Sequence, residues 1–395
     1  MCSERLPRPR DGAALGKDQS DMRAYNEKLV LSLLRQVGPI PRSQIARATG
    51  LSPQSCSVIM RALETAGLVR RGAPQRGRIG QPSVPMMLAE DGAFSLGLQI
   101  RRDSAEMVLM DFLGTIRASR SCAYRAPHPD TIVSFARTAL DELAQTLPET
   151  LRVRLRGLGV ALPDQPWLWA TEPAARTAWQ RFDLAEELRE LTDLPIYAEQ
   201  DIVAACRAEM ALGSAIGAAD LLYIEIRETI RGAVVQAGKP LQGGRVHRPL
   251  GRIEVCAPAG GSVALDGCAS LGRLAELMAA QGALPEALRG MPSGWPELPE
   301  AETRWRAEAA PALAQVICSA DALLSLSHVV IAVCRPPAAR AALVQAVAAH
   351  LEADEANLAG LPALHAATLG PQTAALGAAI LPLAAQFLVQ LPARR

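Results

Sequence analysis

The sequence predicts an α/β protein of two lobes preceded by a small helical module, and three observations carry that expectation. Between residues 25 and 67 apolar side chains recur at helical spacing around glycine stops. From residue 94 onward, short runs of branched apolar residues alternate with amphipathic segments. Hydrophobic residues make up 49% of the chain but aromatics only 4%, so the core must be built from Ala, Leu, Val and Ile, which suits helices on a buried sheet. At 395 residues there is room for two or three domains.

Residues 1–21 are polar and contain Gly and Pro, and are expected to form a disordered tail. Tyr25, Leu29, Leu33, Leu34 and Val37 then mark an amphipathic helix that stops at Gly38-Pro39. Arg42 to Gly50 reads as a short helix with Ile45 and Ala46 facing inward. Leu51 follows as a buried spacer, and Ser52 as N-cap with Pro53 at the first helical position opens a third helix. Val58, Ile59, Ala62 and Leu63 are expected to face inward along it, as far as Gly67. Two short helices joined by a tight glycine turn form a helix-turn-helix, against the alternative of an ordinary helical hairpin. The expected outward positions, Gln54, Ser55, Ser57 and Arg61, are groups that donate and accept at base edges rather than the Glu/Lys mixture of a solvated face.

Leu68 to Arg71 reads as a strand, and residues 72–82 as a turn and return, which makes a wing. Leu68 to Pro82 holds Arg70, Arg71, Arg76 and Arg78 and no acid, so positive charge is concentrated there although the formal net charge is only +1. Arg76 and Arg78 flank Gly77, a spacing suited to guanidinium groups entering a narrow minor groove. A DNA-binding domain over 22–88 is therefore expected, with these eight side chains as its contacts and a double-stranded operator as partner. Residues 80–92 are expected to serve as a linker.

Other features exclude function classes. The eight cysteines have no C-x-x-C pair, which predicts free thiols; Cys56 has no neighbouring base in sequence and reads as a packed thiol rather than a switch. No apolar run follows the charged amino-terminal residues, and no stretch is expected to approach the length of a membrane span, so a cytoplasmic protein with no membrane partner is anticipated.

Residues 26–69 (NEKLVLSLLRQVGPIPRSQIARATGLSPQSCSVIMRALETAGLV), 80–100 (GQPSVPMMLAEDGAFSLGLQI), 182–201 (FDLAEELRELTDLPIYAEQD) and 374–383 (AALGAAILPL), in that order, resemble the ROK family (repressor, open reading frame, kinase). The resemblance implies a winged helix-turn-helix followed, over 89–395, by a two-lobed actin-like or sugar-kinase-like domain of ribonuclease H-like topology, which binds an effector and dimerises. The departures from the family pattern are as informative. The kinases' Asp-x-Gly-Gly-Thr phosphate turn aligns with Gln99-Ile100-Arg101-Arg102-Asp103. Their second phosphate loop aligns with Arg227-Glu228-Thr229-Ile230-Arg231, and their adenosine segment with Ala332-Val333-Cys334-Arg335. The family's zinc ligands align with Arg252, Gly261, Val263 and Cys268. No catalytic residue, no cofactor and no metal are therefore expected.

In the implied sugar site, Glu199-Gln200-Asp201 replaces the family's Glu-Asn-Asp, whereas the other acidic contacts align with Pro249 and Ser270. Gln200, Asp201 and His247 are the candidate effector residues, in a cleft between lobes. Asp201 is either a ligand residue or the cap of the following helix, and His247 is either a rim contact or part of a solvated loop. Trp167, Trp169 and Trp179 either stack on a sugar ring or anchor packed structure. The expected function is a DNA-binding transcriptional regulator, a repressor of carbohydrate-related genes, that senses a sugar or derivative without phosphorylating it and acts as a homodimer or dimer of dimers. A regulator whose α/β domain is only a dimerisation scaffold, and a sugar kinase, are the alternatives.

Overall fold

A computed structural model describes residues 19–74, 84–125, 127–163, 165–169, 173–241, 250–257, 260–284, 294–353 and 360–389. The amino-terminal elements are α1 (Gln19–Val37), β1 (Ile40–Pro41), α2 (Arg42–Thr49), α3 (Pro53–Thr65), β2 (Val69–Arg71) and β3 (Pro85–Leu88). Gly50 closes α2 in the left-handed conformation (φ 69°), and Ser52 caps α3 by accepting from the Ser55 amide. These local signals give the helix-turn-helix its angle. The sequence placed residues 80–92 in a linker, but Pro85–Leu88 is the middle strand of a three-stranded sheet, ordered β1-β3-β2. Its partners come from both sides of the helix-turn-helix. The first helix also begins within the segment expected to be a tail, at Gln19.

The first lobe comprises β4 (Phe94–Ile100), β5 (Ser104–Asp111), β6 (Ile116–Ala123), α4 (Pro129–Thr146), α5 (Glu149–Arg152), β7 (Leu155–Leu162), α6 (Pro173–Arg181), α7 (Leu184–Leu191), β8 (Ile196–Gln200) and α8 (Asp201–Leu212). Its sheet runs β6-β5-β4-β7-β8, antiparallel through β4, β5 and β6 and parallel through β4, β7 and β8. Leu96, Leu98 and Val160 on one face meet Ile132, Ala136 and Leu143 of α4.

The second lobe comprises β9 (Leu221–Ile226), β10 (Ile230–Gln236), β11 (Lys239–Pro240), the hairpin β12 (Glu254–Cys256) and β13 (Ser262–Ala264), α9 (Asp266–Ala269), α10 (Leu271–Ala280), α11 (Pro299–Leu324), β14 (His328–Val333), α12 (Pro337–Glu352) and β15 (Ala363–Ala366). Its sheet, β11-β10-β9-β14-β15, repeats the strand order and directions of the first. Two sheets of the same 3-2-1-4-5 order give the chain its duplicated α/β architecture. By length and apolar composition α11 alone among the described helices passes for a membrane span, contrary to expectation. Trp305, Leu313 and Ile317 on it are buried in the core of this lobe, as in the core helix of a globular domain.

The described chain falls into two units, one holding residues up to Ala205 and from Ala374 to the end of the last helix, the other Cys206 to Thr373. That last helix, α13 (Thr373–Phe387), belongs with the first lobe. A Cβ on Gly159 of β7 would overlap the Ala378 carbonyl of α13, and one on Gly377 of α13 would overlap the Ala204 carbonyl of α8. Only glycine lets the helix lie this close to both strand and helix backbones.

The carboxyl end of α13 also holds the winged helix. Lys28 Nζ donates to the Ala385 carbonyl (3.0 Å), and the Val389 amide donates to Ser32 Oγ (2.8 Å). Arg35 donates to the Phe112 carbonyl and lies 5.4 Å above the Phe112 ring, which packs edge-on against Phe387 at 5.3 Å. Desolvation lowers the Arg35 guanidinium to about 10, opposed by the charge of Asp111, so it remains cationic at neutral pH.

Gly159→Ala is expected to lower unfolding free energy by about 1–3 kcal/mol through overpacking against α13. Gly294→Ala, where nothing lies within 4 Å of the added methyl, is the matched control. Urea titrations of the two variants check this.

Candidate nucleic-acid interface and effector site

The apolar stripe of α3 is Cys56, Ile59, Met60 and Leu63, all buried. Gln54, Ser55, Ser57 and Arg61 lie on the exposed side, as the spacing predicted. Val58 does not face inward: its residue is 58% exposed, because one position before Ile59 on a helix is a rotation of about 100° away from the stripe. The serine hydroxyls are partly engaged within the helix. Ser52 Oγ donates to Ser55 Oγ (2.9 Å), and Ser57 Oγ donates to the Pro53 carbonyl (2.8 Å). Cys56 Sγ packs beside the Arg42 carbonyl at 3.7 Å, and burial pushes its thiol up, opposed by Arg42, so the thiolate a redox switch needs is disfavoured.

On β2, Val69 points into the sheet while Arg70 and Arg71 are exposed. Arg71 makes a forked contact to Glu64 of α3, with Nε to Oε1 at 2.7 Å and Nη2 to Oε2 at 3.4 Å, and Arg42 of α2 reaches the same carboxylate at 2.7 Å. Sequence reasoning missed this clamp between α2, α3 and the wing strand. The bond from Arg71 is the largest influence holding the Glu64 carboxyl below its usual range. Arg76 and Arg78 lie outside the described residues, as does His247.

In the first lobe, Glu199 and Gln200 end β8 and Asp201 opens α8, beyond the carboxyl ends of the parallel strands, where α/β sheets characteristically present ligand-binding groups. Asp201 is buried, and its Oδ1 accepts from the Ile202 amide at 2.8 Å. Ser270, in the other unit, caps α10 by accepting from the Arg273 amide (3.2 Å) and donates to the Asp266 carbonyl (2.6 Å). Trp179 is a packed anchor: it is buried, and its indole donates to the Pro127 carbonyl at 2.8 Å.

The segments aligned with phosphate loops carry ion pairs. After β4, Arg101 reaches Gln99 Oε1 (2.7 Å) and Glu106 Oε2 (3.2 Å), and Tyr124 donates to the carbonyls of Arg101 and Ser104 in a shared bond. Around the β9–β10 turn, Glu225 meets Arg227 at 2.8 Å and Arg231 at 2.6 Å. Burial alone would raise the Glu225 carboxyl, but the two guanidiniums together outweigh it and bring it down to about 2. After β14, the nearly fully buried Arg335 side chain pairs with Glu302 of α11. Of the positions aligned with zinc ligands, Cys268 is buried and donates to the Leu265 carbonyl, whereas Gly261 and Val263 supply no donor side chain. Among the described residues no three His, Cys, Asp or Glu side chains gather at metal-binding distance.

These elements define a winged helix-turn-helix fused to a duplicated ribonuclease H-like α/β domain. The ROK family model matches residues 95–385, and a winged helix-turn-helix DNA-binding model matches residues 23–70; the chain belongs to the ROK family. It is 26% identical over 230 residues to the DNA-binding transcriptional repressor Mlc of Escherichia coli, covering 55% of each chain. It is 21% identical over 214 residues to the xylose repressor of Bacillus subtilis, covering 53% of this chain and 54% of that one. The chain thus spans about half the length of the curated relatives it matches. Among solved structures, a ROK family transcriptional regulator homologous to the E. coli MLC protein superposes with a TM-score of 0.64 at 20% identity, over 92% of this chain and 96% of that one. The ROK hexokinase of Thermus thermophilus gives 0.52 at 24% identity, over 73% and 97%. At these identities the likeness shows the fold.

Glu225→Gln is expected to cost about 2 kcal/mol of stability at pH 7, below the range for a fully buried pair because Arg227 and Arg231 keep 30% and 27% of their side chains exposed. A carboxyl depressed in the folded state contributes stability that is present above its unfolded value and lost as pH falls toward about 2. The gap between wild type and variant should therefore hold from pH 5 to 8 and narrow below about pH 4, read from denaturation midpoints at each pH.

Proposed function

We propose that this protein is a cytoplasmic DNA-binding transcriptional repressor of carbohydrate-related genes, acting as a homodimer or dimer of dimers. The observation that carries this is the capped third helix, α3, which presents Gln54, Ser55, Ser57 and Arg61 to solvent beside a strand bearing Arg70 and Arg71. Such a helix fits the major groove, and a two-fold protein reads a two-fold operator. The repressor relatives support the same assignment. Arg76 and Arg78 are proposed as minor-groove contacts of the wing.

Full-length protein is expected to enrich a near-palindromic duplex from a random pool, with affinity for it falling at least about a hundredfold between 50 and 200 mM salt as released counterions lose their advantage. Gln54→Ala should change the preferred base pair at one position per half-site. Arg76→Ala should weaken binding on all sequences. Failure to enrich any sequence overturns the proposal.

The α/β domain is proposed to sense a sugar or derivative through Gln200 and Asp201, with His247 as a third contact, and to transfer no phosphate. A carboxylate and an amide side by side complement the donor and acceptor pairs of a polyol. The phosphate-aligned segments carry arginines, each facing a carboxylate, in place of the glycines that let backbone amides cradle phosphate. Signal transfer has a physical route inside the first unit. Asp201 begins α8, Ala204 one turn later abuts Gly377, and the far end of α13 holds α1. A ligand that shifts α8 would tilt the reading head through α13.

A thermal-shift screen over sugars, sugar phosphates and amino sugars should find a compound that raises the melting temperature of the wild type, and Asp201→Ala should abolish that rise while the variant still binds the enriched duplex. A variant that responds normally excludes Asp201 as a contact and leaves it a helix-start residue.

A further inference from the structure

We infer that Val58 reads the methyl group of a thymine in the major groove and so sets part of the operator sequence. The inference rests on the DNA-binding assignment above and goes beyond it, because it names an apolar contact in a face otherwise made of hydrogen-bonding groups. Val58 is the one large apolar side chain left exposed on α2 or α3 among the described residues. The core of the head does not use it, since Cys56, Ile59, Met60 and Leu63 complete the buried stripe.

Its position is as telling as its exposure. Gln54 lies one turn before it and Arg61 one turn after, so the three form a single strip along the exposed side, with Cβ spacings of about 5–6 Å. That spacing is between one and two base-pair steps, each about 3.4 Å. Gln54 offers the paired donor and acceptor that match adenine, and Arg61 the fork that matches guanine. Valine supplies what neither can, a contact for the thymine C5-methyl, the one apolar group on a base edge in the major groove. A β-branched side chain in a helix is held mostly in one χ1 rotamer, so its methyls are aimed before binding and little freedom is lost when they meet a partner. On an unused surface the same valine would bring poorer helix propensity and exposed apolar area with no return.

The test uses full-length protein and the duplex enriched from a random pool. Each thymine in turn is replaced by deoxyuridine, which removes the methyl and leaves the O4 acceptor unchanged. Wild type should lose about three- to fivefold in affinity at one thymine per half-site, the worth of roughly one buried methyl. Val58→Ala should bind the thymine and uracil duplexes equally at that position, and Val58→Thr, which keeps one methyl, should retain part of the difference. Enrichment of a duplex with no uracil sensitivity anywhere overturns the inference while sparing the DNA-binding assignment. An undiminished uracil penalty in Val58→Ala overturns it as well. A pool that yields no enriched sequence overturns both.

Discussion

The first unit is organised around the seat of α13. Where Gly159 and Gly377 leave out their side chains, this helix meets β7 on one side and α8 on the other at backbone distance, and no larger residue fits without moving one of the three. The docking of α1 depends on that seat, through the contacts of Lys28 and Ser32 at the far end of the helix. Phe387 at one end of α13 meets Phe112, on which Arg35 rests, so the winged helix is bolted to the lobe by packed rings and a buried cation. A head held in this way turns with the lobe beneath it.

Electrostatics tells a second part of the story. A phosphate cradle works by leaving backbone amides unpaired until an anion arrives, and glycine is what makes the approach feasible. Here the corresponding segments bring their own charges and pair them: Arg101 with Glu106, Arg227 and Arg231 sharing Glu225, Arg335 with Glu302. The framework of the sheets is kept while these segments take on a packing duty. The cost of desolvating each guanidinium is offset by a carboxylate placed within bonding distance.

Much of this was legible in the residues, and the physics explains where legibility stopped. Ser52-Pro53 and Gly50 act on their immediate neighbours, so the ends of α2 and α3 followed from sequence. The alternation of strands and helices from Phe94 onward likewise pointed to two sheets, while the short edge strands Lys239–Pro240 and Ala363–Ala366 were too brief to show a pattern. Val58-Ile59-Met60 was ambiguous because three consecutive apolar residues on a helix span about 200° and cannot all face one core. The strand at Pro85 was hidden because its proline argues against a strand while its partners lie at Ile40–Pro41 and Val69–Arg71, one of them across two helices. Of the candidate effector residues, Gln200 and Asp201 stood out because they lie in the contiguous run Glu199-Gln200-Asp201. Contacts such as Arg335 with Glu302 and Arg35 with Phe112 join residues far apart in the chain, and no local pattern announces them.

The seat of α13 has a consequence for how the molecule comes into being. The helix that closes the first lobe and grips the winged helix follows both sheets in the chain, so a ribosome delivers it after the winged helix and the strands of both lobes. Until then the sheet of the first lobe has an open face, and the winged helix lacks the α13 contacts made by Lys28 and Ser32. Folding of the first unit must therefore span a discontinuity in sequence, a long-range closure that is slow compared with local helix formation. Seating of the winged helix is thus tied to completing the fold, and a nascent chain stalled in the second unit carries a winged helix that is not yet docked.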